Sequence, residues 1–207
     1  MRVRPDDGQR KLHSLETSSA SQLVEKEDPA VLSFSRGVKH PAVINQLFTW
    51  PRRALVEFSK NWNPRNYGNL GLSAAQLKKI RIDLANLAKD TFTKVLRDGG
   101  YQVVTEAGDG VIEITPSIVN LYINAPDTKT AGRSKTYAMD AGSMTLALQV
   151  SDSVTGTLLA VAFDYKRDSG SGMLRWTSSA SNRTAASLIL TGWAEQLKSD
   201  LDAVRAK

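Results

Sequence analysis

General acid–base chemistry near neutral pH most often uses histidine, and this 207-residue chain has two, His13 and His40. Both lie in a polar, aperiodic stretch, so a Ser-His-Asp triad or a His-based zinc site would need that stretch to fold back over the rest of the chain. No cysteine is present, which excludes disulfides, thiolate metal sites, iron–sulfur clusters and cysteine nucleophiles. A serine–lysine dyad has one candidate, Ser134-Lys135. Neighbours in an extended segment point to opposite sides, however, so the two would not meet. Asp127, Asp140, Asp164 and Asp168 lie in or near expected loops, where two of them could form an acid–base pair or hold a divalent cation. Asp is equally a standard turn former, and the turn-and-cap reading is preferred. Gly170-Ser171-Gly172 lacks the spacing and the following Lys-Thr/Ser of a phosphate loop, and reads as flexible loop. No catalytic residue, metal ligand or cofactor is assigned.

A second group of residues suits recognition rather than reaction. Lys129, Arg133, Lys135 and Tyr137 stand in one irregular segment, and Lys166, Arg167, Arg175, Trp176 and Arg183 stand in or beside another. Arginine offers a planar fork of donors to carboxylate or phosphate, and Tyr and Trp add flat contact area at low entropic cost. That composition fits an anionic headgroup, a glycan or an acidic protein surface. The plainer reading is that these are solvated loop cations, with Trp176 plugging the sheet and Asn124, Asp127 and Asn182 holding the loops by hydrogen bonds. Net charge is +6. The excess sits early, 11 basic against 7 acidic residues up to Leu72 and 16 against 14 after it, which argues against nucleic acid as the partner.

The elements that must position these groups are legible in the hydrophobic pattern. Residues 1–50 are polar and aperiodic and are read as a mobile N-terminal tail, with Val43, Ile44, Leu47, Phe48 and Trp50 as a patch able to dock. Residues 51–207 are read as one domain of α+β class. Arg53 to Ser59 suits an opening strand. Ser73 with Gln76 forms a capping box, Leu72 with Leu77 stands at staple spacing, and Leu77, Ile80, Leu84, Leu87, Ala88, Phe92, Val95 and Leu96 recur at helical spacing up to Gly99-Gly100. Tyr101 to Thr105 and Val111 to Asn124 read as a hairpin, with Pro116 marking a bulge or an edge. Met144 to Val150 and Thr157 to Tyr165 read as a second hairpin about the Asp152 to Gly156 turn. Ala185, Leu188, Ile189, Trp193, Leu197, Leu201 and Val204 mark a closing helix.

The order β-α-β-β-β-β-α fits a two-layer sandwich, both helices on one face of a mostly antiparallel sheet. A crossover through the first helix would make the first two strands parallel. If the last three strands are sequentially antiparallel, the two long loops meet at one edge of the domain and bring the two basic groups together.

The segments Gly99-Gly-Tyr-Gln-Val-Val104, Asn120-Leu-Tyr-Ile-Asn-Ala-Pro-Asp127, Ala131-Gly-Arg-Ser-Lys-Thr-Tyr137, Asp152-Ser-Val-Thr-Gly156, Leu174-Arg-Trp176 and Asn182-Arg183 carry a resemblance. The chain resembles, from about Phe58 to Leu201, a bacterial, mainly proteobacterial, family of envelope lipoproteins of unknown function. The resemblance implies a core similar to the small α/β units of curli-secretion and TolB-type envelope proteins, a location in the periplasm or at the outer membrane, and no reaction. The sequence departs from that pattern at its start, where Met-Arg-Val-Arg-Pro-Asp-Asp has no apolar stretch for export and no lipidated Cys. No run of 18 apolar residues occurs either, so a membrane tether would require a lipobox encoded upstream. The expectation is a noncatalytic envelope module that binds a protein partner or an anionic envelope component through the two basic loops. The alternative is a carboxylate-based or cation-dependent hydrolase in the same loops.

Overall fold

The computed structural model describes residues 33–34, 47–49, 55–66, 71–124, 136–138, 140–168 and 175–205. In chain order the elements are β1 (Ser33–Phe34), β2 (Leu47–Thr49), β3 (Leu55–Phe58), a 3-10 turn at Pro64–Asn66, α1 (Ala74–Asp98), β4 (Gln102–Val103), β5 (Ile112–Ile123), β6 (Thr136–Ala138), β7 (Gly142–Asp152), β8 (Leu158–Arg167), β9 (Arg175–Thr177) and α2 (Ser179–Arg205). The predicted α+β string is there as β3-α1-β4-β5-β7-β8-α2. Two of the short additional strands, β1 and β2, lie within the segment read as a tail and pair with β8 and with β4 and β5.

α1 begins where the sequence says it should. The Ser73 side chain accepts from the Gln76 N–H at 3.3 Å and the Gln76 side chain accepts from the Ser73 N–H at 2.8 Å, so two otherwise orphaned donors are satisfied reciprocally. The helix ends at Asp98 with Gly99 as its C-cap, and the chain turns away at Gly100, whose φ of 83° is cheap only for glycine. Leu84, Leu87, Ala88, Phe92 and Leu96 are buried at the expected spacing. In α2 the buried stripe is Ala185, Leu190, Trp193, Ala194, Leu197 and Leu201. Leu188, expected in the core, is 70% exposed, and Leu190 takes that role. The two positions lie about 200° apart around a helix of 3.6 residues per turn, so both cannot face the sheet.

The sheet runs β1-β8-β7-β5-β2-β4, with β3 also on β5. Its body is antiparallel, β5 on β7 and β7 on β8, and along β7 Met144, Leu146, Leu148 and Val150 alternate with side chains of the other face. Asp152 closes the β7–β8 hairpin by accepting from the N–H of Thr155 at 2.7 Å and of Val154 at 3.1 Å, bonds that hold its carboxyl below the usual range.

Two pairings differ from expectation. β4 does not form a hairpin with β5 but pairs parallel with β2, which also pairs parallel with β5. The strand parallel to β3 is accordingly β5 rather than β4. Since β7 occupies one edge of β5 throughout, β2 and β3 follow one another along the other edge, at Ile112–Glu113 and then from Ser117. Pro116, which has no N–H to donate, falls in the interval between them, which is how a proline sits fully buried inside a central strand.

The inward side chains of β5, β7 and β8 form one core with both helices. α1 and α2 run side by side in the same direction and touch at their C-terminal ends. There a Cβ at Gly99 would collide with the stem of Lys198, and the buried Tyr101 hydroxyl donates to Asp202 at 2.6 Å. Lys198 also donates to Asp202, at 2.6 Å. Burial and the Asp202 carboxylate raise the Tyr101 phenol well above its ordinary 10.0. The Lys198 and Tyr101 hydrogen bonds lower the Asp202 carboxyl.

Phe92→Ala, at a fully buried site, should cost about 3–5 kcal/mol in urea unfolding, and Leu84→Ala should fall near the low end of about 2–5 kcal/mol because Leu84 keeps some exposure. A Leu84 cost equal to or above that of Phe92 would mean the core is centred elsewhere on α1. A phenol whose folded pKa is raised contributes stability that is complete below its unfolded value and lost as pH rises through the folded one. The urea midpoint of the native chain should therefore fall more steeply between about pH 9.5 and 11.5 than that of Tyr101→Phe; parallel curves would remove the linkage.

Candidate functional site

Residues at the end of β5, the start of β7 and the end of β8 share one edge, with Ile123 opposite Gly142 and Ser143 opposite Arg167. This is the edge the antiparallel order predicted. The connections that leave it are joined a second time, because β6 pairs antiparallel with β9, setting Tyr137 opposite Trp176 and Ala138 opposite Arg175. Of the recognition residues read from the sequence, Tyr137, Arg175 and Trp176 thus occupy facing strand positions. Lys129, Arg133 and Lys135 lie outside the described residues, as do His13, His40, Asp127, Ser134 and Gly170 to Gly172.

Immediately beneath that edge the helices stand apart. Between the N-terminal halves of α1 and α2 and the sheet lies a cleft of about 540 Å³. Ile80, Leu84 and Leu87 line it from α1, Ala185, Ala186 and Ile189 from α2, and Leu121, Ile123 and Met144 from the sheet. Its polar lining is Gln76, Lys79, Asp83, Ser143, Asp168, Asn182 and Arg183. Lys79 pairs with Asp83 at 2.7 Å. The Asp168 carboxylate accepts from the Ala141 N–H at 2.8 Å. Arg183 is exposed and makes no ion pair with any described residue.

Local backbone chemistry shapes this end. β5 carries one extra residue against both neighbours: it advances from Val119 to Tyr122 while β7 advances from Thr145 to Ser143, and from Ile118 to Leu121 while β3 advances from Val56 to Phe58. Asn120, at φ 52°, sits in this bulge, a left-handed conformation that asparagine tolerates better than most side chains. The extra residue changes which positions face the helices, from Ile114 and Ile118 before it to Leu121 and Ile123 after it. Gly142, at φ 137°, lies so close to the Tyr122 carbonyl that any Cβ there would overlap it. Trp62 donates its indole N–H to the Ile123 carbonyl at 2.9 Å and stacks on Phe58 at 4.4 Å, with the Arg81 guanidinium 5.0 Å from the Phe58 ring.

Among the described residues the candidate carboxylates hold structure. Asp140 accepts from the Asn124 amide and from Arg167, at 3.2 Å from Nε and 2.8 Å from Nη2, and that pairing holds the Arg167 guanidinium more firmly charged. Asp164 accepts from the Trp193 indole at 2.7 Å and pairs with Lys166 at 3.2 Å, tying α2 to β8. Lys166 and Arg167 are therefore partly neutralised at the edge they were expected to charge. No group of three or more His, Cys, Asp or Glu among the described residues is placed to hold a metal. No helix among them is long and apolar enough to cross a membrane.

The loops were the place to look from sequence, and the cleft beneath them was missed. Its signal was present in the apolar stripes of α1 and α2, but periodicity cannot say which part of a stripe meets the sheet and which faces a gap. Trp62 and Gly142 also escaped notice, since each acts through a contact with a distant carbonyl.

Solved structures similar to this chain include a PelC dodecamer from Paraburkholderia phytofirmans, with 8% identity, TM-score 0.35, and 79% of this chain and 97% of that chain covered. A protein from Helicobacter pylori described as a neuraminyllactose-binding hemagglutinin homolog gives 11%, 0.40, 84% and 94%. A Xanthomonas campestris protein of family DUF330 gives 15%, 0.34, 85% and 98%. No curated protein matches the chain. The family described as "Protein of unknown function (DUF3313)" matches residues 57–197, from β3 to within the last turns of α2, and the chain belongs to it.

Proposed function

We propose that the chain is a noncatalytic binding module of the bacterial cell envelope that engages an anionic envelope component through the end of the domain where the two long connections meet the helix cleft. The observation that carries this reading is the pairing of β6 with β9. It joins the segment rich in Lys129, Arg133 and Lys135 to the one that holds Arg175 and Trp176. Both arms run directly into residues that line the cleft, Ala141 to Met144 after β6 and Ala180 to Arg183 after β9. Arginine forks and aromatic faces at one rim suit anionic groups. Lys166 and Arg167 brace that rim through Asp164 and Asp140. A hydrolase built on Asp140, Asp164 and Asp168 gains no support, because each already accepts the hydrogen bonds of a structural role. The resemblance to envelope lipoproteins supports the compartment.

Co-sedimentation of the full chain with lipid vesicles tests the reading. Vesicles of phosphatidylethanolamine with phosphatidylglycerol should retain the protein at low salt and vesicles of phosphatidylcholine should not, with retention falling as salt screens the contact. Arg133→Ala combined with Arg175→Ala should reduce retention several-fold with an unchanged urea midpoint. Equal retention of the double variant, or none of the native chain on anionic vesicles at low salt, would overturn the assignment. A double variant that loses only crosslinks to another envelope protein would move the surface to a protein partner.

A further inference from the structure

We infer that the cleft between the helix N-termini takes the alkyl chain of a long-chain fatty acid, with the carboxylate held by Arg183. The inference rests on the reading of this end of the domain as the binding end, and it names a ligand class for the cleft itself.

Shape points to a single extended chain. The wall contributed by α1 runs from Gln76 to Leu87, which at 1.5 Å per residue is about 16 Å long. The facing wall runs from Ala180 to Ile189, about 14 Å. The slot is therefore lined along several turns of both helices. Its volume of about 540 Å³ lies within the usual range for one small ligand, roughly 300–1,000 Å³. Aliphatic side chains from all three sides line it, and no aromatic ring other than Tyr122 does, so it offers dispersion contact to methylenes rather than stacking to a ring.

The charged group at the slot that can meet an anion is Arg183. Of the slot's four charged residues, Lys79 and Asp83 offset each other at 2.7 Å, and Asp168 receives the Ala141 N–H. Arg183 is left as the cation without an ion pair among the described residues. Neither helix has an acidic residue in its first turn, so no carboxylate there competes with a bound anion. A carboxylate matches the guanidinium fork with two parallel hydrogen bonds.

Isothermal titration calorimetry of the full chain with monomeric dodecanoate, kept below its micelle concentration, is the test. Dodecanoate should bind, and affinity should rise by about fourfold for each methylene from octanoate to dodecanoate, the increment expected for a buried CH₂. Arg183→Gln, at an exposed position that should not disturb folding, should weaken dodecanoate about tenfold while leaving dodecanol unchanged. Ala186→Phe, which fills the slot, should weaken both ligands. Absence of dodecanoate binding, affinity independent of chain length, or an Arg183→Gln variant that binds dodecanoate as well as the native chain would each overturn the inference. Retention on anionic vesicles separates the two readings: vesicle binding without dodecanoate binding sinks this one alone, and dodecanoate binding without vesicle binding sinks the other.

Discussion

One sheet face has to be kept from water by two helices, and those helices touch at their C-terminal ends. Phe92 and Leu96 of α1 and Leu190, Trp193, Ala194 and Leu197 of α2 bury the inward residues of β5, β7 and β8. At the C-terminal end Gly99 lets Lys198 approach, and Tyr101 reaches across to Asp202. Towards their N-termini a slot lies between the pair and the sheet, and core side chains such as Leu84, Leu87, Leu121 and Met144 also line it. A domain of this size depends on its core for most of its stability, so the place where the helices part is where a cavity costs least.

The bulge in β5 turns that opening into a built surface. Without the residue added at Asn120, the alternation that buries Ile114 and Ile118 would continue and direct Leu121 and Ile123 to the opposite face. The contact between Gly142 and the Tyr122 carbonyl, and the indole bond from Trp62 to Ile123, fix the strand ends just past the bulge. Asp140, Asp164 and Asp168 belong to the same scaffold. Each joins two segments: Asp140 bonds Asn124 and Arg167, Asp164 bonds Trp193, and Asp168 bonds Ala141. Carboxylates committed in this way make an edge rigid, and a rigid edge can present two arms, β6 and β9, in one register.

Residue types read along the chain suffice for whatever depends on neighbours within a few residues. The Ser73–Gln76 capping box, the stop at Gly99-Gly100, the Asp152 turn and the alternation in β7 all use short-range hydrogen bonds or a fixed period, so residue types at fixed spacing suffice. The β7–β8 hairpin followed from its short connection, and the common edge of the two long loops followed once β5 was taken as antiparallel to β7. Tertiary structure alone decided which distant strands pair. It placed β2 between β4 and β5, a choice that local propensity does not encode, and it selected Leu190 over Leu188 because only the direction of the sheet distinguishes two apolar residues on one helix. It also left Arg183 beside an apolar slot while it paired Arg167 with Asp140. Charge and spacing name the cations, but only the packed chain decides which of them are ion-paired among the described residues and which are not.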